Sequence, residues 1–173
     1  MKTLLSLATL LLLLATAAGA ADLKLGYVDL QKALSVSEAG KVAKAKIESE
    51  IAAIEDQVQQ RQSDLSALQE SLKKQAALLA EEARRDKELE FQQQVKDYQR
   101  YVKDKQDEMR GKEAAYTQQI LRDLGAQVVE LCKKEKISMM MEKSQLVYAS
   151  EALDFTDKLI EAYNRAYKDG HKK

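Results

Sequence analysis

Residues able to carry out bond-making chemistry are sparse in this chain. Its one histidine, His171, lies in the C-terminal tail, so no His-based triad or histidine-rich metal site can assemble in a core. Its one cysteine, Cys132, ends the helical stretch Val128-Val129-Glu130-Leu131-Cys132 and reads as a small buried side chain. A single thiol leaves no intramolecular disulfide framework; an intermolecular disulfide or a reactive thiol is the alternative. The paired carboxylates Glu81-Glu82 stand in a densely charged run, where acids serve solubility. Met139-Met140-Met141 offers soft sulfur ligands. On a strand, however, alternate methionines point to opposite faces, and core packing explains them better. No G-x-x-x-x-G-K-[ST] phosphate loop occurs. These residues predict a non-enzyme that needs no metal or cofactor.

The chemistry that remains is non-covalent, and it is carried by apolar residues at heptad spacing. One stripe reads Ile47, Ile51, Ile54, Val58, Arg61, Leu65, Leu68, Leu72, Gln75, Leu79; another reads Phe91, Val95, Tyr98, Val102, Lys105, Met109, Lys112, Tyr116. Alternating steps of three and four keep side chains on one helix face, and sustained over several heptads they call for a coiled coil. The chain has no proline, and no glycine lies between Gly40 and Gly111. Folded back antiparallel, the stripes pair Ile47 with Ile120, Ile51 with Tyr116, Val58 with Met109, Leu65 with Val102 and Leu72 with Val95. This places the tip near Ala83, within residues 80–86, and makes each arm about 55 Å long. A single unbroken rod of about twice that length is the alternative. In this register Arg61 faces Lys105 and Lys112 faces Ile54. Two cations in one layer would loosen the supercoil, making Arg61 and Lys105 a candidate joint at which the arms splay.

These stripes must be positioned by the rest of the chain. Residues 1–20 read as a secretory signal peptide: a basic start at Lys2, an apolar run from Leu4 to Ala15 too short to span a bilayer, then Ala18-Gly19-Ala20. The expected product is soluble and exported, with a bacterial envelope space as its compartment. Lys and Arg number 28 and Asp and Glu 28, for a formal net charge of zero. Interleaved signs argue against a nucleic-acid binder, which needs a net basic surface. Leu23 to Asp29 alternates with period two and reads as a strand. Ser35 with Glu38 resembles a capping box that starts a helix. The spacing Tyr116, Ile120, Leu124, Val128, Leu131 drifts off the heptad, so the supercoil relaxes there, and the helix should stop near Lys136. Ile137–Met141 and Leu146–Ala149 read as two short strands. Asp154 is a plausible N-cap for a last helix bearing Phe155, Leu159, Ile160, Tyr163 and Tyr167.

The fold class is therefore α+β, mainly α. A coiled-coil hairpin arm over 37–131 is inserted in a small body made of 21–36 and 132–173. A body of about 55 residues with three short strands buries too little to stand alone, and its strand edges need cover. Oligomerisation, with strands from several subunits closing a shared barrel, meets both needs. Body residues expected to serve it are Leu23, Leu25, Tyr27, Ile137, Met139, Met141, Leu146 and Tyr148.

The same stretches carry a family resemblance. Leu25-Gly26-Tyr27-Val28-Asp29-Leu30-Gln31-Lys32-Ala33-Leu34, with Ser37-Glu38-Ala39-Gly40-Lys41 behind it, resembles the N-terminal signature of the Skp/OmpH-like periplasmic chaperones. Ile137–Lys143, Leu146–Ala149 and Asp154–Ile160 resemble their C-terminal part, and the order of elements agrees along the chain after residue 20. The resemblance implies a homotrimer whose hairpins project like tentacles around a cavity. It also implies a nucleotide-independent function, holding unfolded outer-membrane β-barrel proteins after export. Family members are often strongly basic, whereas this chain is near neutral. No lipopolysaccharide site is therefore carried onto Arg84, Arg85 or Lys87. Candidate client contacts off the seam are Leu78, Tyr101, Met140 and Val147. The reading from a different class is a structural or adaptor coiled coil of the cell envelope.

Overall fold

The computed structural model describes residues 23–75 and 78–170, so the signal-peptide reading and His171 lie outside the described residues. Strand β1 spans Leu25–Val28. Helix α1 spans Leu30–Val36, and its N-cap Asp29 accepts a hydrogen bond from the Lys32 amide at 2.8 Å. Asp29 is held below the usual carboxylate range by that amide and then by Lys143, 3.2 Å away. Two long helices follow, α2 over Glu38–Gln75 and α3 over Glu81–Glu135, packed side by side as the hairpin expected from the stripes. Strand β2, Met139–Glu142, pairs parallel with β1 in the register Leu25 to Met139 through Val28 to Glu142. Helix α4 covers Thr156–Gly170. Among the described residues no helix is long and apolar enough to cross a membrane.

Three local expectations are corrected. Ser35 does not start the long helix; it lies inside α1 and its hydroxyl donates to the Lys32 carbonyl. The break falls at Ser37, fully buried, whose Oγ accepts from the Gly40 amide at 3.2 Å. A second cap comes from α4, where Asn164 Oδ1 accepts from the Glu38 amide at 2.8 Å. Gly40 is required at this corner because a Cβ there would sit 1.8 Å from the Leu34 carbonyl oxygen.

The tip, expected at 80–86, lies earlier. Helix α2 ends at Gln75 and α3 has already begun at Glu81, whose carboxylate with that of Glu82 suits the positive end of a helix. Finally, Leu146–Ala149 is not a strand. Among the described residues the sheet has two strands, and beyond it a single bridge joins Tyr27 to Asp154, where the Phe155 amide donates to the Tyr27 carbonyl at 2.9 Å. A strand needs a partner, and among the described residues no backbone ladder pairs with Leu146–Ala149.

The core sits where the arm meets the body. Val28, Ala33, Ile137, Phe155, Leu159 and Tyr163 from the body close on Ala39, Ile120, Leu124 and Leu131 from the arm's base. Leu124 and Leu159 are fully buried. The body thus enlarges its core with the base of the hairpin, which the size argument from body residues alone leaves out. Helix α3 stops as expected: Lys136 adopts the left-handed conformation, φ 55°, and the Ile137 amide donates to the Cys132 carbonyl at 2.9 Å. Asp154 caps the start of α4 through its side chain, accepting from the Thr156 amide at 2.8 Å.

Candidate functional site

The candidate site is the seam of the arm and the apolar groove along it. A helix facing only one neighbour cannot bury a heptad stripe completely. Ala39, at the base, is the one buried residue of α2; Ile47, Ile54, Val58, Leu65, Leu68 and Leu72 are half-buried and Ile51 is exposed. On α3, Met109 is buried, whereas Phe91, Val95, Tyr98 and Val102 are half-buried. The stripes therefore leave an open groove of about 580 Å³, lined by Ile47, Ile51, Ile54, Val58, Val102 and Met109. Its rim alternates Glu55, Lys105, Arg110 and Glu113 with glutamines, so neither sign prevails.

Polar contacts between the arms show that each partner lies about four residues earlier than expected. Arg61 does not face Lys105; its guanidinium lies 4.1 Å from the Tyr101 ring centre, and the Tyr101 hydroxyl donates to Gln57. Lys112 does not face Ile54; its Nζ lies 2.6 Å from Glu50 Oε2 across the arm and 2.9 Å from Glu108 Oε1. Lys105 instead pairs with Glu108 at 2.7 Å. The shift follows from the earlier turn, which slides α3 back along α2. Lys105 and Lys112 hold the Glu108 carboxyl down at about 2, from an ordinary 4.5. Glu50 and then Glu108 push Lys112 up, and Glu108 pushes Lys105 up. Nearer the base, Lys46 lies 5.6 Å from the Tyr116 ring centre, and hydrogen bonding with the Tyr116 side chain raises the Lys46 pKa. The expected layer of two facing cations therefore does not form: Arg61 stacks on Tyr101 and Lys105 pairs with Glu108.

Of the candidate client contacts, Leu78 is exposed at the tip and Val147 is exposed on the body. Tyr101 and Met140 are not free surface. Tyr101 is a cross-arm contact, and half-buried Met140 packs against the core with its sulfur close to Gly26. Among the body residues, Leu23, Met139 and Tyr148 are exposed, and Leu25, Met141 and Leu146 are half-buried. Tyr27 and Ile137 are buried in the chain's own core, so neither presents surface to a neighbour. Exposed Leu153 and Leu89, and the seam partners Glu50, Gln57 and Glu108, were not among the expected residues. The i to i+4 spacing of Glu108 and Lys112 was the available signal for the last. Glu50 emerges only once the register is known.

This geometry can be set beside known proteins. No curated protein matches the chain. A crystal structure of a candidate outer membrane chaperone (OmpH-like) from Caulobacter crescentus CB15 is similar in fold, with a TM-score of 0.80 at 18% identity over 86% of this chain and 88% of that one. The family model for OmpH-like outer membrane proteins matches residues 24–163. That span takes in β1, the whole arm, β2 and the first half of α4, and the chain belongs to the OmpH-like family.

Proposed function

We propose that the protein is an ATP-independent holdase of the periplasm that binds unfolded outer-membrane β-barrel proteins between its helical arms and keeps them from aggregating. The observation that carries this reading is the long apolar seam left half-open along the arm. It offers many shallow apolar contacts instead of one deep pocket. Weak contacts that break one at a time let a client leave without nucleotide. The mixed rim suits clients of either charge, in keeping with a chain of zero formal net charge. Family membership supports a chaperone-type role.

The working form is a homotrimer. Val147 and Tyr148 are an exposed apolar pair in a body whose sheet has two strands, and β2 carries no further strand among the described residues. Both features favour closure by strands of other copies. Three arms would then surround a client domain.

The test is to dilute a urea-unfolded outer-membrane β-barrel protein into nucleotide-free buffer with this protein and follow light scattering. Suppression near one trimer per client is expected. Unchanged scattering at large excess would overturn the holdase reading and favour an adaptor coiled coil with one folded partner.

A further inference from the structure

Polar contacts between the two helices of the arm are unevenly distributed. Among the described residues they run from the base no farther than Arg61 and Tyr101 and leave the outer third of the arm without one: Lys46 with Tyr116, Glu50 with Lys112, Gln57 with Tyr101, and Arg61 with Tyr101. Beyond Arg61 the side-chain pairs stay within one helix, as in Lys74 with Glu70, Gln93 with Asp97 and Arg84 with Glu88. In that outer stretch the described seam is apolar, with Leu65, Leu68, Leu72, Phe91, Val95 and Tyr98 half-buried along it. Both parts share the apolar seam, and only the inner part adds polar contacts across the helices among the described residues.

We propose that Glu50, Lys112, Glu108 and Lys105 form an ionic clasp that controls opening of the arm's inner half and its apolar groove, while the outer half opens independently of ionic conditions. Within the clasp, the bond from Lys112 to Glu50 is the one that crosses between the helices. Glu108 and Lys105 hold Lys112 in place from α3. Lys105 lines the groove that Ile51, Ile54 and Met109 floor, so separating α2 from α3 at the clasp widens that groove. Lys112 and Glu50 are partly exposed, at 39% and 29% of their side chains, so dissolved ions reach the pair. Raising salt from about 0.01 M to about 1 M cuts the screening length from about 30 Å to about 3 Å, the length of the bond itself. An apolar zipper has no such dependence. The clasp does not depend on what the arm holds.

Acid acts on the same cluster. The Glu108 carboxylate is faced by Lys105 and Lys112 from its own helix, while Glu50 of α2 shares Lys112; Lys46 and Tyr101 complete the charged and titratable surroundings of the two lysines. Its pairing is fully present above pH 4.5 and is lost as pH falls through about 2.

The test is pulsed electron–electron resonance between spin labels, in a Cys132→Ala background diluted with unlabelled protein so that each distance lies within one chain. Ser49→Cys with Ala115→Cys reports the inner half, and Ala67→Cys with Gln92→Cys the outer half. With rising salt, or in acid, the inner distances should shift longer and broaden while the outer ones stay put. Glu50→Gln with Glu108→Gln should show the open inner distances already at low salt and neutral pH. Glu50→Gln alone removes the crossing charge and leaves Lys105–Glu108 intact, which covers the case in which the double variant fails to fold; far-UV circular dichroism checks that the helices persist. Equal responses in both halves, no response in the inner half, or a salt response retained in the Gln variants would overturn the proposal.

Discussion

Replacing Gly40 with alanine tests the corner from which the arm leaves the body. Gly40 is in the first turn of α2, and its Cβ position lies 1.8 Å from the Leu34 carbonyl oxygen and 3.0 Å from the Leu34 carbonyl carbon. Both atoms are backbone, so no side chain can swing aside. The overlap is relieved only by opening the corner between α1 and α2, where the Ser37 hydroxyl accepts from Gly40 and donates to Leu34. Such strain belongs at the upper end of the overpacking range, about 3 kcal/mol. Alanine returns about 1 kcal/mol of helix propensity, leaving a net loss of about 2 kcal/mol. For a chain of this size that lowers Tm by about 4–8 °C. Thermal unfolding followed by circular dichroism at 222 nm measures it. Gly111→Ala and Gly125→Ala are the controls: both lie in α3, where an added methyl meets nothing within 4 Å, so each should raise stability by up to about 1 kcal/mol. A Gly40→Ala protein that melts with or above the parent, or controls that fall as far, would refute the steric reasoning.

Other substitutions probe separate joints. Asp29→Ala removes the cap of α1 and the partner of Lys143, and should cost about 1 kcal/mol in urea unfolding. Lys136→Gly relieves the left-handed residue that ends α3 and should raise stability by about 1 kcal/mol in the same assay. Glu135 is held below its ordinary range by Lys158 and then Lys24. Its contribution is therefore complete above pH 4.5 and is lost as pH falls through the depressed value, and Glu135→Gln should flatten the acid limb of a stability–pH profile. Val147→Asp with Tyr148→Asp places charge on the exposed apolar pair and should leave monomers in multi-angle light scattering where the proposed trimer is expected of the parent, with helicity retained.

The elements that were legible from sequence are those whose signal repeats. The stripes from Ile47 to Leu79 and from Phe91 to Tyr116 disclose two facing helices, and the drift after Tyr116 marks the entry into the body, where Ile120 and Leu124 are buried. Periodicity says little about sliding, because a displaced helix still presents apolar residues at the seam. The turn sets the register, and its chemistry between Gln75 and Glu81 is weak, so Arg61 was paired with Lys105 when it meets Tyr101. The Ser35 reading failed for a related reason. A cap is defined by where the preceding helix ends, and buried Ser37 is chosen by the fit of Gly40 against Leu34. Leu146–Ala149 has strand-like composition, but composition cannot supply a neighbouring strand. Within the seam, the polar contacts Gln57, Glu50 and Glu108 follow from register, so no local pattern announced them together.

The parallel pairing of Leu25 with Met139 has a kinetic consequence. The two strands are separated along the chain by the entire arm, and closing a flexible loop of that length would cost about 4 kcal/mol of entropy before any contact formed. The arm removes most of that search. Once α2 and α3 zip together through neighbouring residues, the ends of the hairpin, and with them β1 and β2, arrive side by side. A chain emerging N-terminus first carries β1 unpaired until the whole arm has been made. Folding of the body therefore waits on the arm, and lesions in the seam should slow strand pairing at a distance.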